Sequence, residues 1–273
     1  MKKTKSVLLT TPYILWMVAF TLIPLGVVAY YALTDPATGE FSLTNIRELG
    51  MYLPVLGSSI WYSLVSSAIC LLLGYPVAYY IAHRSPLVQK FLYMLVMLPM
   101  CMSFLLRTLA WVGLLQDTGI INRLLGLIGI GPVTLIRTPG AVILGMVYNY
   151  LPYMVLPLYS TIVKIDHRLV EAAQDLGCNS RKVFSKVILP LSMPGILSGV
   201  TMVFVPAVST FYISQKLGGT DTVMIGDVIE RQFKQGSNPN LGAALSLVLM
   251  ILVFVCTGIM NRFGGDEEGG VIA

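Results

Sequence analysis

The sequence predicts an all-α polytopic membrane protein with six transmembrane helices, and three observations support this fold class. The 273 residues are 56% hydrophobic and 11% charged, less than half of the roughly 25% of charged residues in a soluble domain. Apolar runs long enough to cross a bilayer recur six times. Helices satisfy their own backbone hydrogen bonds in lipid, which open strands cannot do. The composition therefore excludes a soluble enzyme, a disordered regulator and a nucleic-acid binder, and we expect contact with the lipid bilayer.

The apolar runs are expected to be the membrane spans, and the one charged side chain within them is Arg107. The first run follows Lys2, Lys3 and Lys5, but it is too long for the apolar part of a cleavable signal peptide. No small-residue cleavage site closes it, so we interpret it as an uncleaved span. The six runs cover residues 7–32, 58–82, 91–115, 138–163, 191–213 and 242–261.

Several spans contain proline, which removes a backbone donor and favours a kink. Two interpretations are open, because membrane helices tolerate proline in ordinary packing and broken helices also surround gated paths. The prolines near residues 148–159 favour a broken helix there. Prolines inside the spans include Pro24, Pro76, Pro99, Pro152, Pro157, Pro194 and Pro206.

The 18 lysine and arginine residues predict the orientation of the chain. If the N-terminus is cytoplasmic, most of them lie in the inner segments, as expected from the excess of basic residues in cytoplasmic loops. Both termini are therefore expected on the cytoplasmic side.

The cysteines and histidines do not predict a site. Three of the four cysteines lie within spans and Cys178 lies in an inner loop, without a C-x-x-C pair, so neither a disulfide nor a metal site is expected. His83 and His167 are far apart in the sequence, and we interpret them as residues at the membrane edge. No nucleophile with an adjacent base, no metal cluster and no pair of acids lies within the spans, so no catalytic residue is expected.

The chain is expected to have three parts. Residues 1–57 form the first span and an outer loop, residues 58–263 form a five-helix core with an inner loop at 164–190, and residues 264–273 form a flexible tail. Within the core, residues 223–233 alternate apolar and charged side chains, which predicts a short amphipathic helix at the outer interface.

The inner segment 164–190 is the most charged inner loop, and its pattern predicts two short helices. Asp166 is placed to cap the first, and Gly177 supplies the left-handed residue that ends many helices. Asn179 or Ser180 can cap the second, which Pro190 is expected to close. A simple surface loop is the alternative. The expected apolar faces are Leu169, Ala172, Ala173 and Leu176 in the first helix and Val183, Phe184 and Val187 in the second.

This segment resembles the EAA loop of ABC importer permeases. Glu171, Ala172 and Ala173 are followed at the family's spacing by Gly177 and by residues 187–190, with Val187 in place of the usual isoleucine. Other stretches resemble the B-type permease of spermidine/putrescine importers. They are residues 73–76, 138–160, 166–177, 191–196, 206–207, 211–214, 217–219, 225–229 and 232–233.

The resemblance implies a type I ABC importer permease (MetI-like) fold in the bacterial inner membrane. It implies half of a translocation pore, completed by a second permease subunit of the C type, two ABC ATPase subunits and an extracytoplasmic polyamine-binding protein. No cofactor is expected on this chain, which has no G-x-x-x-x-G-K-[ST] loop for ATP phosphates, so ATP is used by the partner ATPase. The implied ATPase-coupling residues are Asp166, Arg168, Glu171, Ala172, Ala173, Asp175, Gly177, Arg181 and Pro190.

A polyamine is a flexible polycation, yet no acidic residue lies within the six spans. Aromatic faces attract cations, so the candidates for the substrate path are Tyr148, Tyr150, Tyr153, Phe211 and Tyr212, with Asp227 and Glu230 near the outer mouth. Packing or an interfacial belt is the alternative for the tyrosines, and a solvated outer face is the favoured alternative for the two acids. Arg107 either reaches the outer interface by snorkelling or is paired inside the bundle.

Two alternatives to a polyamine importer are an ABC importer of another substrate and a secondary transporter. Sulfate, molybdate and iron importers share the EAA loop, so the substrate is the less specific inference. A secondary transporter usually has internal repeats and intramembrane acids, which this sequence lacks.

Overall fold

The computed structural model describes residues 11–35, 39–129, 131, 133–234 and 238–264. Within these residues the chain is helical apart from turns and one isolated antiparallel bridge between Thr34 and Phe41. Gly264 is the last residue of a helix, and the rest of the expected tail lies outside the described residues. The same is true of residues 7–10 of the first span.

Thirteen helices are numbered in chain order within the described part of the chain. They are α1 (Thr11–Ala32), α2 (Thr44–Glu48), α3 (Leu53–Ala82), α4 (Pro86–Met97), α5 (Phe104–Leu115), α6 (Ile120–Leu127), α7 (Pro139–Ile162), α8 (His167–Asp175), α9 (Ser180–Leu191), α10 (Met193–Val208), α11 (Tyr212–Leu217), α12 (Ile225–Lys234) and α13 (Pro239–Gly264).

Five helical stretches are long and apolar enough to cross a membrane, and a sixth span is formed if the bent pair α9–α10 counts as one. The expected third span at 91–115 is not continuous. After α4 the chain forms a 3₁₀ turn at Leu98–Cys101, becomes extended at Met102, and only then begins α5. Pro99 lies in that turn, where its missing N–H prevents the α-helix from continuing.

Two other expectations about the spans are corrected. α7 continues without a break through Pro152 and Pro157, although a broken helix was expected there. Pro152 is buried and the helix packs along α10, so packing against its neighbours keeps the helix continuous despite the lost hydrogen bonds. The expected fifth span ends early, because α10 stops at Val208 and residues 209–211 are not helical.

The chain divides into two compact units, and the first contains Met1–Pro54 and Val228–Leu252. Ala32, Ala243 and Ala244 form its buried apolar cluster. The carbonyl of Thr34 accepts hydrogen bonds from the Nδ2 atoms of Asn45 (2.9 Å) and Asn240 (2.7 Å). These bonds fix the end of α1 to α2 and to the start of α13.

The second unit contains Val55–Asp227 and Val253–Ala273, and α7 lies at its centre. α3 faces α7 with small side chains, so that Gly74 lies beside Met154 and Val155. α7 and α10 approach more closely still. A Cβ atom at Gly195 would lie 2.8 Å from Thr161 Cβ and 2.9 Å from the carbonyl oxygen of Pro157.

Candidate functional site

The first helix of the inner loop, α8, has the ends that its sequence predicts. The Asp166 carboxylate accepts a hydrogen bond from the backbone N–H of Arg168 at 3.0 Å. At the other end Gly177 has φ +81°, its N–H donates to Gln174 at 2.8 Å, and the N–H of Cys178 donates to Ala173 at 3.1 Å. This pair of bonds with a left-handed glycine is the Schellman motif, which confirms the predicted helix end.

The second helix, α9, begins as expected but does not end at Pro190. The Asn179 side chain caps it by accepting from the N–H of Lys182 at 3.0 Å. A π-turn at Phe184–Ile188 then carries the helix through to Leu191. The wider turn accommodates a residue without an N–H. The chain bends by 62° between α9 and α10.

The inner loop is attached to the membrane helices by a small apolar cluster. Ala173, Val183 and Ile188 are its buried members, with Tyr79 of α3 packed against them. The Phe184 ring meets the edge of Tyr79 at 6.1 Å between centroids. Because both helices of the loop contribute to this cluster, the loop is expected to move as one body with its support.

The expected apolar face of α8 is divided by this attachment. Ala173 is buried in the cluster, whereas Leu169, Ala172 and Leu176 remain exposed, Leu176 at 86%. Glu171 is exposed beside them, and its Oε1 atom lies 3.2 Å from the Nδ1 atom of His167, within hydrogen-bond distance. α8 therefore has an uncovered apolar edge next to a carboxylate. Among the charged residues that the resemblance assigns to coupling, those that are also exposed are Asp166, Arg168, Asp175 and Arg181.

The two histidines lie together, although they are far apart in the sequence. His83 follows α3 and His167 begins α8, and both line one small pocket with Ile162, Ile165, Val170 and Ile188. The available sequence signal was that each histidine was predicted at the cytoplasmic edge of a span. Among the described residues no group of three or more His, Cys, Asp or Glu side chains could hold a metal ion.

The tyrosines of α7 have different environments. Tyr150 is buried, its hydroxyl donates to the carbonyl of Pro206 at 3.3 Å, and its ring lies 6.4 Å from that of Tyr153. Tyr148 and Tyr153 are each 37% exposed. The ring of Tyr148 packs edge-on against Trp111 at 5.4 Å.

Phe211 and Tyr212 lie at the start of α11. Phe211 is 40% exposed, and the half-buried Tyr212 packs 6.3 Å from Phe104 of α5. Lys216 places its ammonium 5.8 Å from the centre of the Tyr212 ring. Sequence reasoning missed this cation, which lies one turn from the aromatic residue that it contacts.

Asp227 is buried, so the solvated outer face that was favoured for it is wrong. Its side chain is 1% exposed and accepts hydrogen bonds from the Ser214 hydroxyl at 2.6 Å and from the N–H of Met224 at 3.3 Å. The first turn of α12 is packed among other helices rather than lying along a surface, and the N–H of Ile225 donates to Ser59 of α3. The half-buried Glu230 forms an ion pair with Lys234.

Arg107 is the buried basic side chain of the described residues, at 7% exposure. Its Nε and Nη1 atoms have no hydrogen-bond partner. The burial of Arg107 argues against a side chain that reaches the outer interface. Its Nε and Nη1 atoms also lack the partner inside the bundle that the other alternative requires.

The helical spans and the capped inner loop define a multi-pass membrane permease with the ABC importer fold. The structure superimposes with a TM-score of 0.76 on a bacterial ABC transporter involved in the import of the acidic polysaccharide alginate, at 20% identity over 96% of this chain and 97% of that one. The MetNI methionine ABC transporter matches with a TM-score of 0.62, at 16% identity over 80% of this chain and 96% of that one.

The profile of the binding-protein-dependent transport system inner membrane components matches residues 71–264. The chain belongs to this family, and is therefore a transport component of the inner membrane. It is 39% identical to the spermidine/putrescine transport system permease protein PotB of Haemophilus influenzae, over 90% of both chains. The protein of the same name from Escherichia coli is 38% identical, over 87% of this chain and 90% of that one.

Proposed function

We propose that the chain is the permease subunit of an ATP-driven importer of polyamines. The observation that carries this proposal is 37–39% identity to PotB permeases along most of the chain. A second permease of the C type completes the pore, and an extracytoplasmic polyamine-binding protein delivers the substrate. Both termini are cytoplasmic in this arrangement. Residues 1–57 are the first span with its outer loop, residues 58–263 are the permease core, and residues 264–273 are the tail.

The inner loop is the coupling element of this proposal. Two ABC ATPase subunits bind and hydrolyse ATP, and one of them docks on α8. The uncovered edge at Leu169, Ala172 and Leu176 supports this, because exposed apolar side chains beside a charge suit a protein partner. Glu171 contributes the polar contact, and Gly177 sets the angle between α8 and α9. The rim of the docking surface is formed by Asp166, Arg168, Asp175, Arg181 and Pro190. Ala173 packs in the buried cluster that attaches the loop to α3.

The substrate path follows the exposed aromatic faces. Tyr148, Tyr153 and Phe211 present partly exposed rings that attract an ammonium group. Tyr150 lies beside Tyr153, and Tyr212 adjoins Phe211 in the chain. Asp227 supplies the negative charge when the outward-facing state opens the first turn of α12, and Glu230 lies one helical turn further on.

Uptake by the complete importer tests the substrate. In cells that lack their own polyamine transport, we expect expression of this chain with its partner subunits to restore uptake of labelled spermidine and putrescine. Labelled sulfate serves as the control and is expected not to enter. Sulfate uptake without polyamine uptake would contradict the proposal.

Neutralising the buried acid tests its role in the path. The change Asp227→Asn keeps the shape of the side chain and an oxygen that accepts from Ser214, so we expect a normal amount of protein. We expect the KM for spermidine to rise about tenfold, because the negative charge that attracts the polycation is lost. Asp117→Asn is the matched control, since Asp117 is an exposed acid outside the proposed path, and is expected to change KM less than about twofold. Equal KM values for Asp227→Asn and wild type would remove Asp227 from the path.

One observation favours a second candidate, an importer of anions. A buried guanidinium with two unsatisfied nitrogens is a suitable donor for sulfate or molybdate. The sulfate arm of the uptake experiment decides between the two candidates.

A further inference from the structure

The pocket between the end of α3 and the start of α8 is lined by both histidines of the chain. The other side chains that line it are aliphatic. Its volume is about 20 Å³, which is room for one or two groups of the size of a water molecule. The imidazole rings of His83 and His167 are therefore the polar groups at a space that a single ion can fill.

Each histidine has its Nδ1 atom against an oxygen that can only accept a hydrogen bond. The Nδ1 atom of His83 lies 2.8 Å from the backbone carbonyl oxygen of Tyr79, and that of His167 lies 3.2 Å from Oε1 of Glu171. Both contacts require the proton on Nδ1, so each neutral ring keeps a lone pair on Nε2. A histidine that binds a metal usually donates its other N–H to a carbonyl or a carboxylate in this way.

The lining of the pocket indicates which ion it suits. Imidazole suits zinc, copper and nickel, whereas Mg²⁺ and Ca²⁺ prefer oxygen ligands, and the described residues that line the pocket include no acid. We propose that His83 and His167 bind one divalent transition metal ion through their Nε2 atoms. In the described part of the chain no group of three or more His, Cys, Asp or Glu side chains could hold an ion, so water completes the coordination and the ion exchanges with solution.

The ion ties α8 to the end of α3, next to the apolar cluster that attaches the inner loop. The rings of His83 and Tyr79 lie 4.1 Å apart between centroids, and Tyr79 packs against that cluster. Ile188 is a buried member of the cluster and also lines the pocket. The ion therefore strengthens an attachment that the loop already has, whichever substrate is transported.

Copper binding to the full-length chain tests the site, because His83 and His167 are its two histidines. The chain is purified in detergent with an affinity tag that contains no histidine, and Cu²⁺ is the probe because it binds nitrogen ligands most tightly. We expect one Cu²⁺ for each chain, with two imidazole rings on the ion in pulsed EPR. His83→Gln and His167→Gln are each expected to leave one ring and to weaken binding at least tenfold, since losing even an outer partner of a ligand costs about 10–100-fold. Lys182→Gln, an exposed change outside the pocket, is the control and is expected to match wild type.

Thermal unfolding with Zn²⁺ gives a second readout of the same site. A ligand that binds the folded chain stabilises it, so a tenfold excess of Zn²⁺ over its Kd is expected to raise the melting temperature of wild type by about 3 °C. The double change of His83→Gln and His167→Gln is expected to abolish this rise. Two copper ions with one ring each, one ion for every two chains, or an equal rise in wild type and double variant would overturn the proposal.

Discussion

Replacing Gly177 with valine is expected to lower transport per ATP hydrolysed at least tenfold, while the protein still inserts in the membrane. Gly177 has φ +81°, and a Cβ atom added there meets nothing within 4 Å. The effect therefore comes from backbone strain alone, which is about 1–3 kcal/mol for a branched residue in the left-handed region. The chain relieves that strain by changing the angle between α8 and α9. A coupling loop with the wrong angle no longer transmits the movement of the ATPase.

The chain contains a matched control for this prediction. Gly129 has φ +83° and equally open surroundings, but it follows α6 on the opposite side of the predicted topology. Gly129→Val imposes the same strain and is expected to leave coupling unchanged. Gly177→Asn is expected to retain most of the coupling, because asparagine tolerates the left-handed conformation. The measurement is the ratio of amine imported to phosphate released, and a wild-type ratio in Gly177→Val would refute the coupling role.

The sequence predicted where the chain crosses the membrane better than where its helices break. Apolar length and the absence of charge reveal spans directly, but the effect of proline depends on what surrounds it. Pro99 lies at a break, whereas Pro152 and Pro157 lie within a continuous helix that is packed against α10. A single sequence contains no information about that packing, so the three prolines look equivalent in it.

The site shows the same division between local and tertiary information. The caps of α8 were predictable because Asp166 and Gly177 act on their own neighbours. The burial of Asp227 was not predictable from the sequence. An alternating pattern of apolar and charged residues fits a helix on a surface, and it fits equally a helix whose first turn is packed among other helices. Gly226 was the available signal, because its missing side chain lets α12 approach the carbonyls of Ser209 and Thr210.

The contact between α7 and α10 has the second large expected effect. α7 leads into the inner loop and α10 follows it, so these helices receive any movement of the loop. Gly195 and Gly199 are one turn apart on α10, a spacing that lets membrane helices approach closely. At Gly195 the neighbours are the Cβ atom of Thr161 and the backbone of Pro157, which cannot move aside as a flexible side chain can.

Gly195→Leu is therefore expected to separate the two helices where they enter the loop. Overpacking of this kind costs typically about 1–3 kcal/mol, and here we expect a lower melting temperature in detergent and at least a tenfold loss of uptake. Gly113→Leu is the matched control, because Gly113 lies in α5 and a Cβ atom added to it would have no neighbour within 4 Å. Gly199→Ala is expected to be milder, since the atom nearest its Cβ is the movable Met154 sulfur. If Gly195→Leu has the same melting temperature and the same uptake rate as Gly113→Leu, then α7 and α10 do not transmit the motion as a pair. The loop must then act on the pore through α3, by way of Tyr79 and the apolar cluster of Ala173, Val183 and Ile188.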